Sequence, residues 1–256
     1  MNLIVLGAGF STRLRPLTDS FPKGLLEIGG LPMMAHLLDE AIKLPDLGNF
    51  VLVANSVVAK HFEDFLHQPK YQAFVLVDNG VSQSEKRLGA IGDLLLALEK
   101  IGQDDDVLVL PSDTLVDIDF EKLMAFYREH RGFVNVVRKE DPQVIAGALG
   151  CVEVDVSTRK IISFEEKPAE PKAAYASVPI YIYPKEVLPL IKEYASLPGA
   201  NLDSPGAIVP WLIDRAACYA FVIENGYYYD VGTHQQYNKL KAEPGKYLKK
   251  YSESHE

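Results

Sequence analysis

The first half of the chain alternates short apolar runs with helical patterns, and this alternation constrains the fold more than any other feature. The apolar runs, which we predict to be strands, lie at residues 3–6, 50–54, 73–77 and 107–110. The helical patterns lie at residues 32–44, 57–66, 89–101 and 120–128. Continuously apolar strands that alternate with helices are typical of a mostly parallel sheet covered on both faces. We therefore predict a doubly wound, Rossmann-like α/β fold.

After residue 132 the pattern changes to strand-like runs that are joined by short polar connections. The runs read FVNVV, ALGCVEVDV, KIISF and SVPIYIY, and helical patterns interrupt them only at residues 186–194 and 205–215. Short connections favour antiparallel pairing, so we predict antiparallel additions that make the main sheet a mixed one. We expect a single domain over residues 1–242, whose last helix covers residues 235–242. A lysine-rich, loosely held tail is expected at residues 243–256.

The charge and the cysteines of the chain limit its partners and its compartment. There are 26 Lys and Arg residues against 35 Asp and Glu residues, which gives a net charge of -9. A general nucleic-acid binder needs a basic face, so we expect no nucleic-acid partner. The apolar run at residues 1–10 is too short for a membrane span, so we expect no membrane partner and a cytoplasmic protein. Cys151 and Cys218 lie in apolar runs and are expected to be buried, reduced thiols.

The loop that follows the first predicted strand has the composition of a phosphate-binding segment. It reads LGAGFSTRLRPLTDSFPK and holds three cations and one acid: Arg13, Arg15, Lys23 and Asp19. Its glycines allow backbone N–H groups to approach phosphate oxygens closely. The loop therefore predicts a polyphosphate ligand. A dinucleotide-binding fingerprint fits poorly, because Thr12 stands where the third glycine of that fingerprint should be.

Two aspartates at the ends of predicted strands are candidate ligands of Mg²⁺. Asp113 follows the strand at residues 107–110, at the edge where open α/β sheets bind ligands. Asp230 follows the aromatic run YYY. Mg²⁺ is bound by one or two carboxylates together with phosphate and water oxygens, although either aspartate could instead cap a helix or close a turn. Asp117 and Asp119 form a D-x-D pair that we expect to cap the next helix.

Six segments of the chain, in this order, resemble the sugar-1-phosphate nucleotidylyltransferase family. They are LGAGFSTRLRPLT, FPKGLLEIGGLPM, RLGAIGDLLLAL, PSDT, LGCVEVDVSTRKIISFEEKP and YYDVGTHQQY. The resemblance spans nearly the whole chain and implies the nucleotide-diphospho-sugar transferase fold, of the GT-A-like type. It also implies a Mg²⁺-dependent transferase of nucleotide-sugar biosynthesis. Such an enzyme transfers a nucleoside monophosphate from a nucleoside triphosphate to a sugar 1-phosphate, and pyrophosphate is released.

The resemblance further implies roles for individual residues. Arg13 and Lys23 would be catalytic, since they would neutralise charge on the phosphates, while Asp113 and Asp230 would bind Mg²⁺. The nucleotide would be bound by residues 1–131, through Leu6, Gly7, Ala8, Gly9, Ser11, Thr12, Gly89 and Ser112. The acceptor would be bound by residues 132–242, through Gly150, Glu166 and Lys167.

Departures from the family pattern leave other functions open. Pro179 stands where the family often has glycine, and we expect Pro179 and Tyr175 to alter the acceptor pocket. The acceptor of a cytidylyltransferase on this fold could then be phosphocholine or an inositol phosphate. A metal-dependent glycosyltransferase would use Asp117 and Asp119 instead. A nicotinamide oxidoreductase would need an acid where Asn55 stands, and a non-catalytic nucleotide sensor would have lost a metal-binding carboxylate.

Overall fold

The computed structural model of the chain describes residues 1–248. Its strands are β1 (Asn2–Leu6), β2 (Glu27–Ile28), β3 (Leu31–Pro32), β4 (Phe50–Ala54), β5 (Phe74–Asp78), β6 (Val107–Pro111), β7 (Thr114–Val116), β8 (Phe133–Lys139), β9 (Cys151–Val154), β10 (Ile161–Glu165), β11 (Tyr175–Tyr183), β12 (Cys218–Ile223) and β13 (Tyr228–Asp230). Its helices are α1 (Met33–Ala41), α2 (Ala59–Leu66), α3 (Gly89–Ile101), α4 (Phe120–His130), α5 (Pro142–Ile145), α6 (Leu188–Ala195), α7 (Val209–Ile213), α8 (His234–Ala242) and α9 (Pro244–Tyr247).

One mixed sheet organises the part of the chain that the structure describes. Its main path runs β10-β9-β11-β6-β1-β4-β5, and β8 pairs with both β11 and β12 beside that path. The pairs β1–β4, β1–β6 and β4–β5 are parallel, whereas β11 is antiparallel to β6, β8 and β9. The mostly parallel first half is therefore confirmed, and so are the antiparallel additions around β11. One strand of the second half differs, because β12 pairs parallel with β8.

Alternate residues of the central strands face two separate hydrophobic layers. In β1, Leu3 and Val5 pack in the layer that α1, α2 and α4 cover, and Ile4 packs in the layer that α3, α6 and α7 cover. These three side chains are at most 2% exposed. A strand buried on both faces must be apolar at every position, which explains why the strands of the first half read as continuous apolar runs.

The β11 strand is interrupted at Pro179. Its register with β8 shifts between Ser177 and Tyr181, because proline has no N–H to donate to the ladder. The side-chain amide of Asn135, which is fully buried, donates to the carbonyl of Val178 at 3.0 Å. This bond satisfies a carbonyl group at the interruption.

Two predicted segments differ from the observed structure. The helical pattern at residues 205–215 forms a 3-10 turn (Pro205–Ile208) followed by α7, and Pro210 lies in the first turn of α7. A proline there lacks the N–H that would continue the preceding turn, so a new helix begins instead. The tail expected to be loosely held contains the helix α9, and Leu248 is only 1% exposed against Leu14 and Leu26. The rest of that predicted tail lies outside the described residues.

The remaining expectations concern the two cysteines, a membrane partner and the compartment. Cys151 and Cys218 are buried and free, and burial raises the pKa of the Cys218 thiol to about 12, which makes it unreactive at neutral pH. Among residues 1–248, no helix has the length and apolar character that crossing a bilayer would require. The cytoplasmic compartment stays a prediction.

Candidate active site

The loop after β1 is fixed at the edge where the parallel strands end. The amide of Asn55, which follows β4, donates to the carbonyl of Ala8 at 3.0 Å. The N–H of Gly7 donates to Val53 at 2.8 Å, and the N–H of Ser112 donates to Leu6 at 3.2 Å. The two strands that flank β1 thus hold residues 6–8 in place, directly above the sheet edge.

Lys23 reaches this edge because Gly24 packs against the end of β6. A Cβ atom on Gly24 would lie 2.6 Å from the carbonyl oxygen of Ser112, so no larger residue fits without displacement. Lys23 opens the 3-10 turn Lys23–Leu25, and its side chain is 7% exposed. The close approach of Gly24 therefore places a buried lysine next to Asp113.

Asp230 comes to the same point through a small second sheet. β13 pairs antiparallel with β7, and Asp230 lies opposite Thr114. This register puts Asp230 beside the residue that follows Asp113, although 117 positions separate the two aspartates in the sequence. The last helix, α8, then starts with a capping box between Thr233 and Gln236, which fixes the chain directly after Asp230.

Lys23 lies between the two aspartates. Its Nζ donates to Oδ2 of Asp113 at 2.9 Å and to Oδ1 of Asp230 at 3.1 Å. Burial by itself would lower the pKa of Lys23, but the negative charges of Asp113 and then Asp230 outweigh it, and the pKa of Lys23 is raised. The ammonium group therefore stays charged at physiological pH. It can stabilise negative charge but cannot accept a proton.

Two cavities open on either side of this triad. The first, which we call the α3 cavity, has a volume of about 440 Å³ and lies between the loop after β1, the start of α3 and the end of β6. The second, the hairpin cavity, has a volume of about 840 Å³ and lies against the β9–β10 hairpin and β13. Asp113 lines the α3 cavity, Asp230 lines the hairpin cavity, and Lys167, Pro179 and Asp203 line both.

An ion pair closes the α3 cavity at its outer side. Arg87, just before α3, donates from Nε to Oδ1 of Asp203 at 2.8 Å and from Nη2 to Oδ2 at 2.6 Å. The carbonyl groups of Leu202 and Asp203 accept from the first N–H groups of α3. Gly89 allows this contact, because its φ is +78° and a Cβ there would lie 2.2 Å from the Leu202 oxygen. The segment around residue 203 therefore covers the start of α3.

Arg13 is the cation of the loop that is available to a ligand. It lines the hairpin cavity beside Gly232. Among the described residues, no acid lies within ion-pair distance of Arg13, whereas Arg15 pairs with Asp19 at 3.3 Å. The unpaired guanidinium can offer its planar set of donors to a phosphate group.

The structure brings most of the predicted site residues together. The predicted nucleotide-binding residues Leu6, Gly7, Ala8, Gly9, Ser11, Gly89 and Ser112 line the α3 cavity, and the predicted acceptor-binding residues Gly150, Glu166 and Lys167 line the hairpin cavity. Thr12 is exposed, starts a 3-10 turn and lines neither cavity. Tyr175 lies on a different cavity, with Arg138 and Arg159, so our expectation that it alters the acceptor pocket was wrong. Pro179, by contrast, does line that pocket.

Comparison with known proteins identifies the family. The family model described as "Nucleotidyl transferase" matches residues 2–245. The mannose-1-phosphate guanyltransferases of Kluyveromyces lactis and Yarrowia lipolytica are 30% and 32% identical to this chain over 91% of its length. The chain spans 61% of the length of both relatives.

The chain belongs to the nucleotidyl transferase family. This confirms the family that the six sequence segments predicted. A solved structure of a UDP-glucose pyrophosphorylase in complex with UDP-glucose has the same fold, with a TM-score of 0.81 and 17% identity. That likeness covers 96% of this chain and 98% of the other.

The two aspartates of the D-x-D pair, Asp117 and Asp119, make different contacts. The carboxylate of Asp119 accepts a hydrogen bond from the N–H of Lys122 at 3.0 Å and caps α4, as predicted. The side chain of Asp117 lies against Gly226 instead. Asp119 therefore acts as the helix cap that the sequence predicted, whereas Asp117 does not.

The two carboxylates of the candidate site form an open donor set of the kind that Mg²⁺ uses, and they do not form a closed cluster of metal ligands. Among the described residues, no group of three or more His, Cys, Asp or Glu side chains could hold a metal ion. Asp113 and Asp230 nevertheless face one cation, the Lys23 ammonium, and their side chains are 38% and 43% exposed. Two accessible carboxylates beside a phosphate site are a donor set that Mg²⁺ accepts, since substrate oxygens and water complete its shell.

Three residues that line the α3 cavity were not predicted from the sequence. Arg87 and Asp203 pair across 116 positions, and such a long-range contact leaves no local pattern in the sequence. Asp93 also lines the α3 cavity. Its signal was present, because it is an acid within the apolar stretch GAIGDLLLAL of α3, where a core-facing position is normally apolar.

Proposed function

We propose that this protein transfers a nucleoside monophosphate from a nucleoside triphosphate to a sugar 1-phosphate. The products are a nucleoside-diphosphate sugar and pyrophosphate. One observation carries the proposal: Lys23 bonds to one aspartate of each cavity, Asp113 and Asp230, so a buried ammonium lies where the two cavities meet. The relatives from Kluyveromyces lactis and Yarrowia lipolytica are mannose-1-phosphate guanyltransferases, which supports a sugar phosphate as the acceptor.

The proposed reaction needs charge neutralisation and positioning more than proton transfer. An oxygen of the acceptor phosphate, already anionic, attacks the α-phosphorus in line. A new P–O bond forms, and the bond between the α-phosphorus and the oxygen that bridges to the β-phosphate breaks. That oxygen keeps the electron pair and leaves with pyrophosphate. The charged Lys23 stabilises the negative charge that gathers on the α-phosphoryl oxygens.

The remaining polar residues support this assignment of the two cavities. Gly9 leaves the backbone of the loop open to a nucleotide in the α3 cavity, since a Cβ atom there would meet no atom within 4 Å. Arg13 also lines a smaller pocket of about 260 Å³ together with Gly9 and Lys23, between the two cavities. It would bind there the phosphates that become pyrophosphate, since it has no ion-pair partner among the described residues. Lys167, which lines both cavities and is 53% exposed, would bind the acceptor phosphate. Glu166 lies beside it and would accept hydrogen bonds from sugar hydroxyl groups.

We further propose that Asp113 and Asp230 hold Mg²⁺. The two carboxylates converge on one point, and each keeps an accessible edge for substrate oxygens. When bound, Mg²⁺ would offset the phosphate charge that Lys23 and Arg13 leave uncompensated.

One feature of the hairpin cavity favours a second acceptor class. Tyr229 lines this cavity together with Glu140 and Glu166, and among the described residues no cation lies over its ring, in contrast to the rings of Tyr228 and Tyr247. Aromatic faces with nearby carboxylates bind quaternary ammonium groups. Phosphocholine is therefore the second candidate acceptor, as expected for a cytidylyltransferase on this fold.

A substrate panel tests the proposal. Pyrophosphate release would be measured for GTP, ATP, CTP, UTP and dTTP, each with mannose 1-phosphate, glucose 1-phosphate or phosphocholine and with Mg²⁺. We expect release with a sugar 1-phosphate, and we expect it to stop when EDTA removes the metal. The variant Asp113→Asn should need more Mg²⁺ for half-maximal activity, whereas the variant Lys43→Ala, at an exposed site, should not.

The outcomes separate the possibilities. If no acceptor gives pyrophosphate, the proposed function is contradicted. If phosphocholine alone gives pyrophosphate, phosphocholine is the acceptor and a sugar 1-phosphate is not. Full activity in EDTA, or an unchanged Mg²⁺ requirement in Asp113→Asn, contradicts the metal site while leaving the transfer reaction intact.

A further inference from the structure

A buried acid of the α3 cavity has no place in the reaction described above. Asp93 lies on α3, four residues after Gly89, and is 7% exposed. Its neighbours on the helix, Ile91 and Leu94, are in the hydrophobic core. The residue nevertheless lines the α3 cavity, so a nearly buried carboxylate belongs to the wall of the proposed nucleotide site.

Asp93 differs from the other acids of that wall. Asp113 pairs with Lys23 and Asp203 pairs with Arg87, but no cation of the described residues lies within ion-pair distance of Asp93. Its one hydrogen bond of the described structure comes from the side-chain amide of Asn79, at 2.8 Å to Oδ1. The wall of the cavity thus holds an uncompensated acceptor group.

The environment of Asp93 leaves it short of donors. A carboxylate has four lone-pair sites, and Asn79 uses one of them. Burial raises the pKa of Asp93, and the bond from Asn79 only partly offsets this effect. The other oxygen, Oδ2, is not among the enclosed polar atoms without a partner in the described structure. Since Asp93 lines the α3 cavity, a ligand there can donate to this open oxygen.

We infer that Asp93 binds the base of the nucleotide and selects guanine. The inference rests on the proposed function, which places a nucleoside triphosphate in the α3 cavity. Guanine presents two adjacent donors, N1–H and the 2-amino group, which match the two oxygens of one carboxylate. Adenine and cytosine place a ring-nitrogen acceptor beside their single amino group, and that acceptor repels a carboxylate. Uracil and thymine offer one N–H between two carbonyl groups.

The names of similar proteins do not settle the base, since they refer to guanyl transfer in the relatives and to UDP-glucose in the solved structure. The side chain of Asp93 can distinguish guanine from uracil. The backbone of Gly7 and Gly9 can contact any base, because it offers no side chain that reads the base edge. A carboxylate acceptor gives the site a chemical reason to prefer guanine.

The test uses the variant Asp93→Asn on the full-length protein. Its side-chain oxygen can still accept the bond from Asn79, so the fold should be kept, and a thermal melt checks this. The affinities for GTP, ATP and xanthosine triphosphate would be measured by isothermal titration calorimetry in the presence of Mg²⁺. We expect the native protein to prefer GTP, and the variant to bind GTP on the order of 10- to 100-fold more weakly, the effect of lost hydrogen bonds to a charged group.

The same variant should bind xanthosine triphosphate better than the native protein does, because the new amide N–H can donate to the 2-oxo group of xanthine. A merely structural role of Asp93 would not produce this exchange. The matched control is Glu99→Gln, which removes an exposed acid from the same helix and should change neither affinity.

Several results would overturn the inference. If the affinities for GTP and ATP fall equally in Asp93→Asn, the carboxylate contacts the ribose or only supports the fold. A native preference for another base, or no gain with xanthosine triphosphate, would also exclude guanine reading by Asp93. The proposed function fails separately, when no triphosphate supports pyrophosphate release, so the two failures are distinguishable.

Discussion

At the scale of single residues, the site depends on one buried charge. Lys23 holds two carboxylates that would otherwise repel each other, and its pKa is raised by their charges despite its burial. A lysine in this state acts as a permanent cation over the physiological range. The same group therefore organises the site, and in the proposed reaction it would stabilise the transferred phosphoryl group.

Replacing this lysine tests its proposed role. We expect Lys23→Ala to lower turnover by about 100-fold, the scale on which a preorganised donor to a transition-state oxygen contributes. The measurement is pyrophosphate release at saturating substrates, with Lys43→Ala as the control for removal of an exposed lysine. An unchanged turnover number in Lys23→Ala would remove this residue from the mechanism.

At the scale of secondary-structure elements, short turns and caps position the chemistry. The 3-10 turn that carries Lys23 is held against β6 because Gly24 has no side chain. The α4 helix begins at a defined residue because Asp119 caps it. The turn predicts an effect on both stability and turnover, whereas the cap predicts an effect on stability alone.

The turn predicts a large effect of a single methyl group. In Gly24→Ala the new Cβ would lie 2.6 Å from the Ser112 oxygen, so the turn must shift and carry Lys23 with it. We expect a loss of about 1–3 kcal/mol of stability together with a lower turnover number. Thermal melts and pyrophosphate release would measure the two effects. Gly245→Ala, where a Cβ meets no atom within 4 Å, should change neither, and a fully active Gly24→Ala variant would contradict the argument.

The cap predicts a change of stability without a change of chemistry. We expect Asp119→Ala to cost about 1 kcal/mol, which lowers Tm by a few degrees, and to leave turnover unchanged. The N–H of Lys122 lowers the pKa of Asp119, so the contribution of the cap is present above the ordinary pKa and is lost as the pH falls through the lowered value. Glu121→Ala is the control, and a loss of metal-dependent activity in Asp119→Ala would instead favour the D-x-D metal site.

At the scale of the whole molecule, the segments before and after residue 132, which we predicted to bind the nucleotide and the acceptor, share one sheet. The β6 strand of the first half pairs with β11 of the second half, with Val109 opposite Tyr181. Both residues are buried, at 1% and 2% exposure, in one hydrophobic cluster. The two halves thus complete each other's core instead of forming separate folding units.

This continuity predicts that neither half folds alone. A fragment of residues 1–131 would expose β6 along the edge that β11 covers, and it would lose the aromatic part of that core. We expect it to show no cooperative thermal transition by circular dichroism, and we expect addition of the fragment 132–256 to restore one. A sharp, concentration-independent transition of the first fragment alone would contradict this view.

Much of the fold and part of the site could be predicted from the sequence, since both depend on local pattern. The apolar runs at residues 50–54 and 107–110 indicated buried parallel strands, and α3 begins and ends where its periodicity predicted. The glycines and cations of the loop after β1 indicated a phosphate site. Asp113 was predicted to lie at the sheet edge because the carboxyl ends of parallel strands meet there, and it does line the α3 cavity at that edge.

Other features were decided by the tertiary structure alone. The pairing of β13 with β7 brings Asp230 to Asp113, the ion pair of Arg87 with Asp203 closes the α3 cavity, and Leu248 completes the core beneath the loop. None of these contacts has a local signature. Periodicity reports which face of an element is buried, whereas the partner that covers it is chosen by packing between segments that are distant in the chain.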